Sequence, residues 1–185
     1  MTKHQRRTVH GGTGIFACAL ALAVAGCGGG GGANVQIGAQ SSVTLANHLT
    51  LSLSEDKQNA ATGEKVTYQI TLTNPTAASI TSTYLGYPST GPVTLDELLP
   101  AYTGTVQVED STGAFILSDG SRITAIPPTP PTQPITVTIP PGQSLSAMEV
   151  YTFTRADVYT TTVALQNQDR RTLTPAAGPL TVFIQ

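Results

Sequence analysis

Apolar and polar residues alternate along most of the chain from about position 48 onward. Over residues 65–73, Val66, Tyr68, Ile70 and Leu72 fall on one face, and Thr67, Gln69, Thr71 and Thr73 on the other. A period of two predicts a strand with one dry and one wet face. Leu49, Leu51 and Leu53 alternate with Thr50 and Ser52 in the same way, predicting a strand over 48–53. Similar patterns predict strands at 79–85, 102–109, 114–118, 122–126, 135–139, 145–153, 158–166 and 180–184. No long stretch has a helical period, and Leu95 to Leu99 reads as a single helical turn inside a loop.

Turn residues punctuate these strands. Thr62-Gly63-Glu64 precedes the clearest strand and Asn74-Pro75-Thr76 ends it. Ser111-Thr112-Gly113, Asp119-Gly120-Ser121, Pro140-Pro141-Gly142 and Gly178-Pro179 follow as further turns. Asp119-Gly120 supplies the positive φ of a tight turn, so 114–118 and 122–126 are expected to form a hairpin. Strand 158–166 is expected to pair with 180–184. Short alternating strands with regular turns predict an all-β chain folded as an antiparallel sandwich. Ten predicted strands exceed the roughly seven of the simplest such fold, so the sheet order stays open. Residues 127–134 are dominated by proline and read as a stiff polyproline-II crossover.

The N-terminal segment departs from this pattern. Lys3, Arg6 and Arg7 come first without an acid, and an apolar run of residues 15–25 follows. That run is shorter than the roughly 20 apolar residues of a spanning helix, and the arrangement describes an export signal. The stretch Val24-Ala25-Gly26-Cys27 after the apolar run resembles the bacterial lipoprotein signal motif, the lipobox. The resemblance implies cleavage between Gly26 and Cys27 and a diacylglycerol thioether on Cys27. Several acyl chains on one residue give lasting membrane attachment. The glycines from Gly28 to Gly32 then read as a flexible tether. In the family, Asp after the cysteine favours inner-membrane retention; Gly28 stands there. The expected location is the cell envelope, at the outer membrane or the outer face of the cytoplasmic membrane. The Arg6-Arg7 pair lies between Gln5 and Val9-His10-Gly11 and matches the twin-arginine export pattern poorly.

Three segments follow: a lipoprotein signal peptide at 1–26, a lipidated Cys27 with a Gly-rich tether at 27–42, and a sandwich domain at 43–185. Cys18 falls in the removed part, leaving the domain without thiol or disulfide. Removal of Lys3, Arg6 and Arg7 leaves six basic residues against eleven acids, a net charge of −5. Without a basic patch, nucleic acid is disfavoured as a partner.

The order of motifs within the domain adds a resemblance. Gly63-Glu64-Lys65-Val66, continuing through Leu72-Thr73-Asn74, is similar to the early strand of bacterial immunoglobulin-like modules. Val137-Thr138-Ile139-Pro140-Pro141-Gly142 resembles the Pro-Gly approach to one of their later strands. Tyr159, after Arg155-Ala156-Asp157, resembles the tyrosine corner of that fold; an ordinary rim tyrosine is the alternative. The whole order, with Val106-Gln107-Val108-Glu109-Asp110 and Gly113-Ala114-Phe115-Ile116-Leu117, resembles the intracellular proteinase inhibitor family of the Bacillus subtilis type. That resemblance implies an antiparallel immunoglobulin-like β-sandwich of Greek-key topology and, as one alternative, protease inhibition through an exposed loop. The family's Trp-rich segment has no counterpart, since the chain has no Trp. Asn74-Pro75-Thr76 is similar to the inhibitory loop of chagasin-like inhibitors, but Ala77-Ala78-Ser79 stands where their Thr-Gly-Tyr would continue.

Catalytic chemistry finds little purchase. His48 is the one histidine beyond the N-terminal signal and has no nucleophile motif nearby. Zinc needs three or four His, Cys or carboxylate ligands. Calcium needs only oxygens, and Glu55-Asp56, Asp96-Glu97, Glu109-Asp110 and Asp119 are candidates, expected to be solvated loop acids. The expected function is therefore a non-catalytic binding or structural module without cofactor, meeting a protein or glycan partner in the envelope. Contacts are expected on the two long connections, since long loops are uncommon unless functional or disordered. The candidates are Tyr87, Pro88, Asp96 and Glu97 within 85–100, and Pro127, Pro128, Pro130 and Pro131 within 126–134.

Overall fold

The computed structural model describes residues 38–99, 106–123, 131–169 and 172–185. The expected cleavage site and lipidated Cys27 lie outside them, as do Pro127, Pro128 and Pro130. The strands are β1 (Gln40–Thr44), β2 (Thr50–Glu55), β3 (Asn59–Ala60), β4 (Lys65–Thr73) and β5 (Ile80–Gly86). A single 3-10 turn, Asp96–Leu98, follows. Then come β6 (Val106–Glu109), β7 (Phe115–Ile116), β8 (Arg122–Ile123), β9 (Gln133–Ile139), β10 (Ser144–Thr152), β11 (Asp157–Val163) and β12 (Ala177–Ile184). No helix among the described residues is long and apolar enough to cross a membrane.

The strands form a four-stranded sheet in the order β1-β2-β4-β10, a six-stranded sheet in the order β3-β12-β11-β6-β7-β8, and the two-stranded ribbon β5-β9. All pairings are antiparallel except β3 with β12, which is parallel. The chain is thus all-β with antiparallel and mixed sheets, consistent with a β-sandwich. The alternation of β4 is realised as read: Val66, Tyr68, Ile70 and Leu72 are fully buried. They share one apolar core with Leu51 and Leu53 of β2, Tyr159 and Val163 of β11, and Leu180 and Val182 of β12. Fully burying such side chains is worth about 1.5–3 kcal/mol each, so these strand faces carry the fold.

Two hairpins predicted from the sequence are present. β7 pairs with β8 across the Asp119-Gly120 turn, where Gly120 has φ 82°. β11 pairs with β12 from Asp157↔Ile184 onward, with a bulge between Thr161 and Val163. Gly178 and Pro179, read as a turn, belong to β12 beside that bulge. The tether expected through residue 42 ends sooner, because Gln40 to Thr44 pair with β2. His48 is not the first residue of a strand. It occupies the β1–β2 turn at φ 68°, exposed to solvent, and β2 starts at Thr50.

Asn74 shapes the corner that separates β4 from β5. Its side chain is fully buried. Its amide donates to the carbonyls of Ala78 (2.7 Å) and Ile139 (2.8 Å), and Oδ1 accepts from the Thr76 amide (3.0 Å) and hydroxyl (2.7 Å). The Asn74-Pro75-Thr76 turn is therefore committed to its own backbone. Pairing of β4 with β10 ends at Thr73↔Ser144 and resumes past the corner as β5 with β9, from Ile80↔Ile139 to Gly86↔Gln133. The two pairs form one bent antiparallel ribbon. Its far end meets the six-stranded sheet's connection, where the Leu85 amide donates to the Gln166 carbonyl at 2.9 Å.

Candidate functional site

That far end gathers the two connections expected to carry contacts. Gly86 lies opposite Gln133, so the chain leaving β5 and the chain arriving at β9 are neighbours. Tyr87 and Pro88 stand on one side and Pro131 on the other. Tyr87 is half-buried, while Pro88 and Pro131 are exposed. The connection after β11 joins them through a Tyr84↔Asn167 bridge and a 3.4 Å bond from the Thr132 hydroxyl to Gln166 Oε1. Asn167 and Asp169 hold their own turn by bonds to Thr172: the Asn167 side chain donates to its hydroxyl at 3.0 Å, and Asp169 accepts from its amide at 2.9 Å.

The connection from 87 to 99 is braced from within. Leu95, Leu98 and Leu99 are buried in the core and anchor its second half. Glu97 turns inward, only 9% exposed, although the sequence suggested a solvated acid. Its Oε1 accepts from the Ser89 amide at 3.0 Å and from the Ser89 hydroxyl, and its Oε2 accepts from the Thr94 amide at 3.4 Å. Its backbone carbonyl accepts from the Tyr87 amide at 2.9 Å. These bonds, the Ser89 hydroxyl first, hold the Glu97 carboxyl below the usual carboxylate range against the opposing effect of burial. Ionised Glu97 thus fixes both limbs of the loop and leaves residues 88–92 exposed at its tip. Gly86 is required beneath it, because a Cβ there would strike the Glu97 carbonyl. Asp96 faces solvent. Burial raises the Glu149 carboxyl, and the Asp96 charge adds to that rise.

Each adjacent acid pair splits the same way, one member inward and one outward. Asp110 is 6% exposed, and its Oδ1 accepts from the Thr112 hydroxyl (2.6 Å) and the amides of Thr112 (2.9 Å) and Ala114 (3.1 Å). Its Oδ2 accepts from Arg122 Nε at 2.7 Å. The Thr112 hydroxyl, the turn amides and the guanidinium, against burial, lower its carboxyl to about 2. Glu55 is 3% exposed at the inner end of β2, opposite Tyr68. Among the described residues, neither Glu55 oxygen makes a well-formed hydrogen bond, and the same holds for the buried hydroxyls of Tyr68 and Thr161. Burial pushes Glu55 up to about 7, with the Ala39 amide opposing and the Asp56 charge adding. Glu55, Glu97 and Asp110 were all expected in solvent, so their inward positions correct that reading. A signal for Glu55 was available: the alternation of Leu49, Leu51 and Leu53 continues to position 55 on the same face.

The acids do not converge. No three His, Cys, Asp or Glu among the described residues form a group able to hold a metal ion. His48 sits exposed in the β1–β2 turn. What the 87–92 tip offers chemically is shape: two prolines, Pro88 and Pro92, flank Ser89, Thr90 and Gly91 on a backbone fixed before any partner arrives. Binding to a preordered loop avoids the ordering cost that a mobile one carries. No family model matches the chain, and no curated protein matches it.

Proposed function

We propose that this is a lipid-anchored cell-envelope protein whose immunoglobulin-like sandwich is a non-catalytic binding module. The observation that carries the reading is the internally braced 87–99 connection, with its exposed tip beside Pro131 and the turn at Asn167. An acid and three leucines are spent on holding a surface loop in one conformation, which favours contact through that loop. The immunoglobulin-like part of the reading draws support from the parallel pairing of β3 with β12. It also draws on Tyr159, whose hydroxyl donates to the Arg155 carbonyl at 2.9 Å, the geometry of a tyrosine corner. The anchor rests on Val24-Ala25-Gly26-Cys27 and the glycines after it.

Two arms test this reading. Labelling of the full chain with a palmitate analogue in a Gram-negative host should mark the protein, and Cys27→Ser should abolish both label and membrane fractionation. Crosslinking in envelope preparations should then enrich one partner, which a variant with residues 88–92 replaced by glycine and serine loses. An unlabelled wild-type chain refutes the anchor, and an identical crosslinking pattern for the two loops refutes the binding role. The braced loop also favours a second reading, proteinase inhibition, because a rigid exposed loop can occupy a protease cleft. Full activity of serine, cysteine and metallo-proteases in the presence of micromolar protein would refute it.

A further inference from the structure

Gly38 and Ala39, which lead into β1, run along the inner end of β2. Gly38 lies so close that a Cβ there would strike the Glu55 carbonyl and Cγ. The Glu55 amide donates to the Ala39 carbonyl at 3.1 Å, and Ala39 packs half-buried against the core. The two residues form a strap laid over Glu55, which is itself 3% exposed.

The groups around the carboxyl come from several elements. On the inner face of the four-stranded sheet, Glu55 of β2 lies opposite Tyr68 of β4, and Tyr68 opposite Glu149 of β10. Tyr151 of β10 meets the Tyr68 ring edge-on, 5.8 Å between centroids. From the other sheet, β11 brings the buried Thr161 hydroxyl beside that of Tyr68. β12 has no titratable residue from Ala177 to Ile184. Asp56 follows along the chain, 4.0 Å from Lys57 Nζ. Among the described residues, none of these gives the Glu55 carboxyl an ion pair or a well-formed hydrogen bond. A protonated Glu55 keeps the cluster neutral, whereas an ionised one buries an unpaired charge, which is costly.

Water reaches that charge once the strap moves. Beyond Glu55, β2 stays tied to β4: the Asp56 amide donates to the Thr67 carbonyl at 3.0 Å, and the Thr67 amide to Asp56 Oδ1 at 2.8 Å. Lifting Gly38 and Ala39 breaks the bond from the Glu55 amide and leaves the β1–β2 pairing from Gln40↔Ser54 onward intact. We propose that Gly38 and Ala39 are a proton-controlled strap, seated on Glu55 while the carboxyl holds its proton and lifting more often once the proton has left.

The proton acts as a ligand that binds the seated form more tightly than the lifted one. With the strap seated, burial holds Glu55 at about 7 against the pull of the Ala39 amide; in water the carboxyl returns to 4.5. Below 4.5 both forms keep the proton and lifting does not depend on pH. Between 4.5 and about 7 only the lifted form releases it, so lifting rises about tenfold per pH unit. Above about 7 both forms are ionised and lifting levels off. Lifting is an excursion from the seated fold, read through the main-chain amide it frees.

Hydrogen exchange of the full chain, resolved at single amides and divided by the intrinsic rate, is the test. The Glu55 amide should lose protection about tenfold per pH unit from 4.5 to about 7 and then level off. Low urea should not change this, because a local opening exposes little surface. In Glu55→Gln the amide should stay protected with no such slope. In Gly38→Ala it should be weakly protected at every pH, since the added Cβ displaces the strap by itself. A Glu55 amide with pH-independent protection overturns the proposal, as does the same slope in Glu55→Gln. So does a Gly38→Ala chain that matches wild type, or a slope carried by urea-sensitive opening, which would place the effect in unfolding of the whole domain.

Discussion

Replacing Glu55 by Gln should make the protein more stable in neutral and alkaline solution while leaving it nearly unchanged in acid, apart from a constant offset. The carboxyl is 3% exposed, without a well-formed hydrogen bond among the described residues, and burial pushes it from 4.5 up to about 7. The folded state thus binds the Glu55 proton more tightly than the unfolded state does. Its contribution to stability is fully present below pH 4.5, falls as the pH rises, and is lost above about 7. At about 1.4 kcal/mol per pH unit, the interval amounts to up to about 3 kcal/mol. Gln keeps the shape and cannot ionise, so its cost is the same at every pH. Urea unfolding followed by circular dichroism at half-unit steps from pH 4 to 8.5 measures both proteins with every other carboxylate held in common. The gap between Glu55→Gln and wild type should widen in favour of the variant by about 3 kcal/mol across that range, at constant denaturant slope. Parallel curves would refute the argument, since they would mean that the carboxylate is solvated or paired at high pH.

Three other outcomes follow from the same contacts. Glu97→Gln should lower stability and raise amide exchange at Ser89 and Thr94 above that of the sheet strands, measured by hydrogen–deuterium exchange. Asp110→Asn should remove about 2 kcal/mol at pH 7, and the variant should lack the part of the acid limb due to Asp110. That contribution is present above pH 3.8 and lost as the pH falls through about 2, so thermal melts of both chains between pH 2 and 5 should converge. Tyr159→Phe should cost about 1 kcal/mol by denaturant titration, because it leaves the Arg155 carbonyl without its donor but keeps the ring against Phe153, 4.2 Å between centroids.

Much of the fold was legible because strands with one buried face announce themselves. β4 reads true at every position, and the β7–β8 hairpin follows from Asp119-Gly120. β1 was hidden: Gln40-Ser41-Ser42-Val43-Thr44 has a single large apolar residue, and a half-buried edge strand needs no more. β3 is too short to carry a period. The pairing of β5 with β9 could not be read, because it depends on Asn74 bonding to Ile139 far along the chain. For the candidate site, the sequence singled out two connections and missed their internal support. Glu97 was placed in solvent because acids usually are; its Ser89 and Thr94 partners form only once the loop closes. Glu55 was misplaced for the same reason, against the strand's own alternation.

The parallel pairing of β3 with β12 bears on the order in which the molecule is made. Asn59 meets Phe183 and Ala60 meets Ile184, and the Gln185 carbonyl accepts from the Thr62 amide at 2.8 Å. β12 lies between β3 and β11, in the interior of its sheet. The six-stranded sheet is therefore completed only when residues 177–185 are in place. Contacts so distant in sequence form slowly, because loop closure comes before any gain from pairing. Joining β3 to β11 is thus left to residues far along the chain, so the six-stranded sheet closes as a late step of folding.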